Sequence, residues 1–222
     1  YNEEESLPAL LDESVTWLEA NVPTWELLVV DDGSTDGTRQ VAAEWAARHA
    51  QVRLLTHDTN RGMGAGTKTG IRAAQSEYFS IIAGDGQHPP SALGAMIPAL
   101  SEADIVTTTH IEQRETHRRL LSWGFRKAMQ WACGIDFTQE GLFLFPTRIA
   151  VEQIGLDAVP PDTFFFSFEL IARALRLGYS SAVRPIHVRR RQHGASKVAG
   201  AQKIRRIFSE IRDFRRRLQA ER

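Results

Sequence analysis

Apolar residues recur along the first 110 positions in two alternating rhythms, and the alternation predicts the architecture. Leu7, Leu10, Leu11, Val15 and Leu18 fall at helical spacing and predict a helix over 6–21. The run Leu27–Val30 behind Trp25 is continuously apolar, the pattern of a strand covered on both faces of a parallel sheet. A helix over 38–48, a strand over 52–55, a helix over 65–75, a strand over 78–82, a helix over 91–100 and a strand over 105–108 follow in turn. Such regular alternation predicts an α/β fold, a mostly parallel, doubly wound sheet flanked by helices. After position 109 the rhythm changes to a long helix over 117–133, a short strand over 142–145, an aromatic run over 164–168, a helix ending at Leu177 and a strand near 186–188. The last predicted helix, 201–218, spaces Ile204, Ile207, Phe208, Ile211, Phe214 and Leu218 on one side and arginines on the rest, so it packs on protein or lies on an anionic membrane surface. The chain opens on Tyr1-Asn2-Glu3, and its first element is a helix where a βα series ordinarily starts on a strand. The expectation is that a first strand is missing from this sequence.

Composition narrows the picture. With 222 residues and 42% apolar content, the chain can bury one good core. A single domain over 1–200 is expected, its halves meeting near position 110, with a basic amphipathic helix over 201–222. The lone Cys133 rules out a disulfide framework and falls in the long helix, where packing is its expected role. No run of 18 apolar residues is present to span a membrane, and no signal peptide is visible. The zero net charge hides an asymmetry: residues 184–222 hold 13 Lys and Arg against 3 acidic residues, and the remainder holds 14 against 24. Such a tail seeks phosphates, whether of substrate, lipid headgroups or nucleic acid. Nucleic acid is disfavoured, because the tail lacks aromatics arranged for base stacking.

Four clusters carry candidate chemistry. The strand at Leu27–Val30 ends on Asp31 and Asp32 and enters the turn Gly33-Ser34-Thr35-Asp36-Gly37. Open α/β sheets bind ligands beyond their strand ends, so two carboxylates there point to a base, a ribose or a cation; a capped turn explains them equally well. Asp58–Gly70 places Gly62, Gly64 and Gly66 just before a helix, where backbone N–H groups can meet phosphate. It is not a phosphate-binding Walker loop, since Thr67 stands where glycine should precede Lys68. Tyr78–Pro90 repeats the strand-and-turn pattern with Asp85, Gln87 and His88. One carboxylate and one amide oxygen suit Mg²⁺ or Mn²⁺ that also binds substrate phosphates, although an Asx turn ended by Pro89 and Pro90 accounts for the same residues. Arg191 and Lys197 flank Gly194 and can converge on one phosphate, or form a solvated basic loop.

Taken in order, these clusters resemble the motifs of glycosyltransferase family 2, in its dolichol-phosphate mannosyltransferase-like branch. The matching stretches are Tyr1–Glu4, Val29–Gly37, Asn60–Ala65, Gly84–Pro90, Arg118 with Ser122, Glu169, and Arg191–Lys197, spread over nearly the whole chain. The resemblance implies a GT-A fold, a Rossmann-like sheet with a nucleotide-sugar half over 1–110 and an acceptor half over 111–200. It implies that Tyr1, Asn2, Glu3, Asp31, Asp32, Gly33, Asn60, Gly62 and Gly64 form the nucleotide-sugar site, with Asp31 shaping the turn beside Asp32. Asp85 and Gln87 hold a divalent cation, Mg²⁺ or Mn²⁺. Asp85, Arg118, Arg191 and Lys197 are the implied catalytic set, and Ser122, Glu169 and Ser196 lie at the acceptor side. Two departures stand out. Ala83 replaces the first Asp of the family's DxD, and His110 lies where the family often carries an Arg.

The resemblance implies an inverting displacement at the sugar's anomeric carbon. A hydroxyl acceptor requires a general base, whereas a phosphate monoester is already mostly dianionic at neutral pH. Between Asp104 and Gly141 the chain offers Arg114, Arg118 and Arg119 and no paired acidic motif. These cations favour a polyprenyl phosphate acceptor, with GDP-mannose the favoured donor. The expected setting is cytoplasmic, peripheral at the cytoplasmic face of an anionic membrane, with a membrane-anchoring partner a further option. The competing readings are a family 2 enzyme with a UDP-sugar donor or hydroxyl acceptor, and a non-catalytic nucleotide-sugar-binding relative.

Overall fold

The computed structural model describes residues 1–111, 116–134, 138–160, 165–189 and 201–220, with the side chains of 116–123, 125 and 201–207 outside that description. Helix α1 (Leu7–Asn21) starts with a proline in its first turn, where a missing N–H costs nothing, and buries Leu7, Leu10, Leu11 and Val15. Strand β1 (Leu27–Asp31) pairs in parallel with β2 (Val52–Thr56), setting Asp31 opposite Thr56. Helix α2 (Thr38–Arg48) connects them, and Leu7, Leu11 and Ala42 pack with Leu27, Val29 and Leu54. On the other side α3 (Met63–Ala73) lies close over β1: a Cβ built on Gly70 would sit 3.4 Å from Val30, and one on Gly66 at 3.8 Å. Two of this segment's glycines therefore serve helix–strand packing.

A second sheet has the order β3-β5-β4-β6. Strand β3 (Tyr78–Phe79) and β4 (Ile105–His110) each run antiparallel to β5 (Phe143–Pro146), while β4 and β6 (Ser181–Ile186) are parallel. Only β5 runs against the others. The mostly parallel α/β architecture is thus present, but as a two-stranded and a four-stranded sheet. Among the described residues β1 pairs with β2 alone, and Leu27–Val30 are half-buried instead of sealed on both faces as expected.

Several boundaries differ from the sequence pattern for local reasons. The segment expected as one helix over 91–100 is a 3₁₀ turn (Pro90–Ala92), a single turn α4 (Leu93–Met96) and a second 3₁₀ turn (Ile97–Ser101), the last opened by Pro98, which cannot supply a helical N–H. Strand β3 is two residues long where five were expected, and β6 ends at Ile186, where the expected strand near 186–188 was to begin. A π-helical segment, Ile149–Ile154, follows β5 without a sequence signal. A 3₁₀ turn (Leu156–Ala158) and helices α5 (Thr116–Cys133), α6 (Phe166–Arg176) and α7 (Ala201–Ala220) complete the described elements. The C-terminal half of the apolar stripe of α7 packs on protein: Ile211, Phe214 and Leu218 are buried against Met129, Ala132, Cys133, Phe165 and Ala172, whereas Phe208 is exposed. Cys133 is buried and free.

Candidate functional site

The Asp31–Asp32 turn is built by two segments that lie far apart in sequence and together in space. Asn2 adopts φ +53, a left-handed conformation that its short polar side chain tolerates. Its Oδ1 accepts from Thr35 N at 2.9 Å, and its own N–H donates to Ser34 Oγ at 3.0 Å. Glu3 N donates to Thr38 Oγ1 at 2.9 Å, and Glu4 accepts from Gly37 N at 2.8 Å. Residues 2–4 thus lace onto residues 34–38, and Tyr1 beside them is 43% exposed.

The two carboxylates divide the work. Asp31, 1% exposed, accepts from Ser34 N and from Arg39 Nε at 2.8 Å. Burial pushes its carboxyl upward, but the Ser34 and Arg39 contacts outweigh this and hold it below the usual carboxylate range. Asp32 reaches across to the glycine loop: Oδ1 accepts from Arg61 N at 2.9 Å, Oδ2 from Gly62 N at 2.8 Å, and Oδ1 also meets His57 Nδ1 at 2.7 Å. His57 Nε2 lies 2.8 Å from Thr69 Oγ1. Gly33 allows this closeness, since a Cβ there would sit 2.4 Å from the Thr59 carbonyl carbon. Asn60 is exposed, Gly62 turns the chain at φ +90 into α3, and Gly64 is buried in the first turn of that helix. Asp31 is thus held within its own turn by Ser34 and Arg39, whereas Asp32 is held by the loop before α3. His57 was missed; the only signal for it is the β1–β2 register, which sets the residue after Thr56 beside the residue after Asp31.

The second turn follows β3. Asp85 Oδ1 accepts from Gln87 N at 3.1 Å across Gly86, which sits at φ +69, so the Asx turn is formed and the Asp85 carboxylate and Gln87 share one loop. The Ser6 hydroxyl lies 2.8 Å from the Gly84 carbonyl and 2.9 Å from Glu3 Oε2, and a Cβ on Gly84 would stand 3.6 Å from Glu3 Cγ. Glu3 and Ser6 therefore join the Asp32 turn to the Asp85 turn. Among the described residues no group of three or more His, Cys, Asp or Glu converges as a metal cage. One carboxylate and one amide in the same turn fit a cation that takes its remaining oxygens from a bound diphosphate. Ala83 is exposed just before this turn, where a second carboxylate would reach solvent.

Behind the turn, the His88 and His110 rings stand 5.8 Å apart and converge on Gly141 at φ +97, where a Cβ would fall 2.4 Å from His88 Nε2. Burial pushes His88 below the usual imidazole range, against the opposing pull of Asp85. The backbone of Gln87 accepts from Arg189 N at 2.8 Å, and Arg189 grips Glu13 of α1 through two bonds of 2.6 and 2.7 Å. Arg118 and Ser122 lie in α5 with side chains outside the described residues, and Arg191, Ser196 and Lys197 lie outside them altogether. Glu169 is fully buried at the junction of α6 and α7, bonded to Arg173 Nε at 3.1 Å and to Arg217. Its burial raises its carboxyl above the usual range despite both arginines. The structure places Glu169 in that junction and not among the strand-end turns.

Residues 1–175 match the family model described as glycosyl transferase family 2. The chain belongs to glycosyl transferase family 2. It is 30% identical over 210 residues to undecaprenyl-phosphate mannosyltransferase of Micrococcus luteus, covering 90% of this chain and 85% of that protein. Against human dolichyl-phosphate beta-glucosyltransferase it is 32% identical over 194 residues, covering 77% of this chain and 59% of the human protein. This family 2 chain therefore spans less than two thirds of that relative's length. Its fold is shared with the mannosyltransferase PcManGT from Pyrobaculum calidifontis in complex with GDP-Man and Mn²⁺, at a TM-score of 0.67 and 23% identity, covering 93% of this chain and 58% of the other. It is shared also with mannosyl-3-phosphoglycerate synthase from Rubrobacter xylanophilus, at a TM-score of 0.70 and 17% identity, covering 99% and 72%. These neighbours establish the GT-A-like glycosyltransferase fold of this family 2 chain.

Proposed function

We propose that this family 2 glycosyltransferase moves a sugar from a nucleotide-diphosphate donor to a polyprenyl phosphate. The observation that carries the reading is the joining of the Asp32 turn and the Asp85 turn through Glu3 and Ser6. It holds the Asp32 turn beside a turn whose carboxylate and amide suit a diphosphate-bound cation. The lipid-phosphate acceptor is supported by the relatives from Micrococcus luteus and human, which are named for undecaprenyl and dolichyl phosphates. GDP-mannose is the favoured donor, after the mannosyltransferase relative from Micrococcus luteus, and UDP-glucose is the alternative, after the glucosyltransferase relatives.

The chemistry asked of the protein is small. An acceptor phosphate oxygen attacks the anomeric carbon from the face opposite the diphosphate. The bond to the leaving oxygen breaks with its electron pair on the nucleoside diphosphate, and the configuration inverts. No general base is required, since the acceptor is mostly dianionic at neutral pH. Asp85 and Gln87 would hold Mg²⁺ or Mn²⁺, whose charge stabilises the departing diphosphate. Arg118, Arg191 and Lys197 are assigned to the phosphates, and Asp32 with Asn60, Gly62 and Gly64 to the nucleotide side.

The same reading places the protein at the cytoplasmic face of a membrane. Among the described residues no helix is long and apolar enough to cross one. The outer faces of α5 and α7 instead combine Trp131 and Phe208, 55% and 49% exposed, with Lys127, Arg212, Arg215 and Arg216. Arg215 stacks 4.1 Å over the Trp131 ring. Amphipathic aromatics beside arginines suit the headgroup layer of an anionic bilayer.

The deciding experiment supplies labelled GDP-mannose or UDP-glucose, polyprenyl phosphate and Mn²⁺ or Mg²⁺, and counts label in the extracted lipid. Metal-dependent transfer from GDP-mannose is expected. Metal-dependent nucleotide binding with no transfer for any donor and acceptor would overturn the catalytic reading in favour of a binding protein, the outcome that Ala83 favours.

A further inference from the structure

His57 is buried, 6% exposed, and neither the motifs nor the proposed chemistry use it. Its position is nevertheless over-determined. Its backbone N–H donates to Asp31 O at 2.9 Å, and its carbonyl accepts from Arg39 at 2.9 Å, which also holds Asp31. The ring then spans from the Asp32 carboxylate at 2.7 Å to the Thr69 hydroxyl on α3 at 2.8 Å. A carboxylate only accepts, so Nδ1 carries the hydrogen shared with Asp32. With His57 and Arg61 N both on Oδ1, that oxygen's two lone-pair directions are taken, whereas Oδ2 holds Gly62 N alone. The acceptor capacity left on Asp32 is therefore one direction on Oδ2.

We propose that His57 is a positioning residue for the donor nucleotide: by filling the second acceptor direction of Oδ1, beside the backbone bonds from Arg61 and Gly62, it leaves Oδ2 as the single, oriented acceptor for an N–H or O–H of the nucleoside. Thr69 sets the ring from the other side, so the orientation of Asp32 is tied to α3, the helix that the glycine loop opens. Without His57 the carboxylate, still held by Arg61 N and Gly62 N, would offer the nucleoside one acceptor direction on each oxygen instead of one in all, and binding would cost the entropy of selecting between them. The inference rests on the donor-site reading above, in which Asp32 faces the nucleotide.

The test is calorimetric titration of GDP and of UDP, each with Mn²⁺, into the wild type and the His57→Leu, His57→Asn and His57→Gln variants, with donor KM and kcat measured in parallel. Loss of one charge-assisted hydrogen bond predicts nucleotide binding about tenfold weaker or more in His57→Leu, with donor KM raised and kcat changed by less than about threefold. His57→Asn places an amide nitrogen near the Nδ1 position and is expected to recover most of the affinity. His57→Gln, whose nitrogen falls near Nε2, is not. Equal affinities in wild type and His57→Leu would overturn the inference while leaving the donor site in place. Equal defects in the Asn and Gln variants would reduce His57 to packing and overturn it as well. A wild type that binds neither nucleotide would remove the donor-site reading itself.

Discussion

Replacing Gly33 and Gly86 separately by alanine sets two glycines with nearly the same φ against different surroundings. Both are left-handed, at φ +70 and φ +69. Nothing lies within 4 Å of a Cβ on Gly86, so Gly86→Ala meets only the left-handed penalty of about 1–2 kcal/mol, partly offset by about 0.4–1 kcal/mol from a stiffer unfolded chain. A net loss of about 1 kcal/mol follows, which lowers Tm by about 2–4 °C in a chain of this size. A Cβ on Gly33 would stand 2.4 Å from Thr59 C, 2.7 Å from Thr59 Cα and 2.7 Å from Asn60 N, all backbone atoms that no rotamer change can clear. The 59–60 segment must retreat by about 1 Å to reach ordinary contact. That motion draws Arg61 N and Gly62 N away from Asp32, where each charge-assisted bond is worth about 1.5–3 kcal/mol. Gly33→Ala should therefore cost about 3–5 kcal/mol, a fall of roughly 10 °C in Tm, and should weaken GDP–Mn²⁺ binding. Thermal and urea denaturation of the two variants, followed by nucleotide titration, provides the measurement. Equal Tm values for the two variants would refute the reasoning, because the backbone conformation would then carry the whole effect.

Other outcomes follow from the same geometry. Glu169→Leu removes the buried carboxylate that Arg173 and Arg217 share at the α6–α7 junction and should destabilise by about 3 kcal/mol or more, read by urea denaturation, since a buried ionic set depends on its counter-charge. Ala83→Asp adds a carboxylate beside the Asp85 turn and should tighten Mn²⁺ binding in the presence of GDP by about tenfold; unchanged affinity would show that Asp85 and Gln87 already suffice. Glu26, Asp31, Asp36 and Asp104 all titrate below the usual carboxylate range in the fold, through hydrogen bonds that outweigh burial at the first three and through Ser180 at Asp104. Their contribution is complete above the unfolded carboxylate range and is lost as pH falls through the lowered values, so urea midpoints should drop steeply below about pH 4; His88, held neutral by burial, begins the decline below about pH 6.5, and Glu169, raised by burial, opposes it. Replacing Trp131 and Phe208 by Ala should reduce sedimentation with anionic vesicles while leaving nucleotide binding intact; unaltered sedimentation would remove the α5–α7 face from the membrane reading.

Much of this protein was legible from the order of its residues. The positions of α1, β1, α2, β2, α5 and α7 follow from apolar spacing, because burial against one side imposes a period that the chain must carry in its own order. The ordered motifs placed the chain in its family before any distance was known. Where one proline or one ladder decides, the pattern failed: Pro98 split the helix expected over 91–100, and β3 closed after two residues. The spacing of α7 showed an apolar stripe but not its partner, which proved to be α5 and α6. The Asp31–Asp32 pair looked alike in sequence, yet tertiary contacts give Asp31 to its own turn and Asp32 to a loop some thirty residues onward. His57 has no signature of its own, since its role arises from the register of two parallel strands. Local order determines which residues can be buried and where a chain can turn; which turns meet, and which lone pair of a carboxylate remains for a ligand, is decided only when distant segments compete for the same hydrogen bonds.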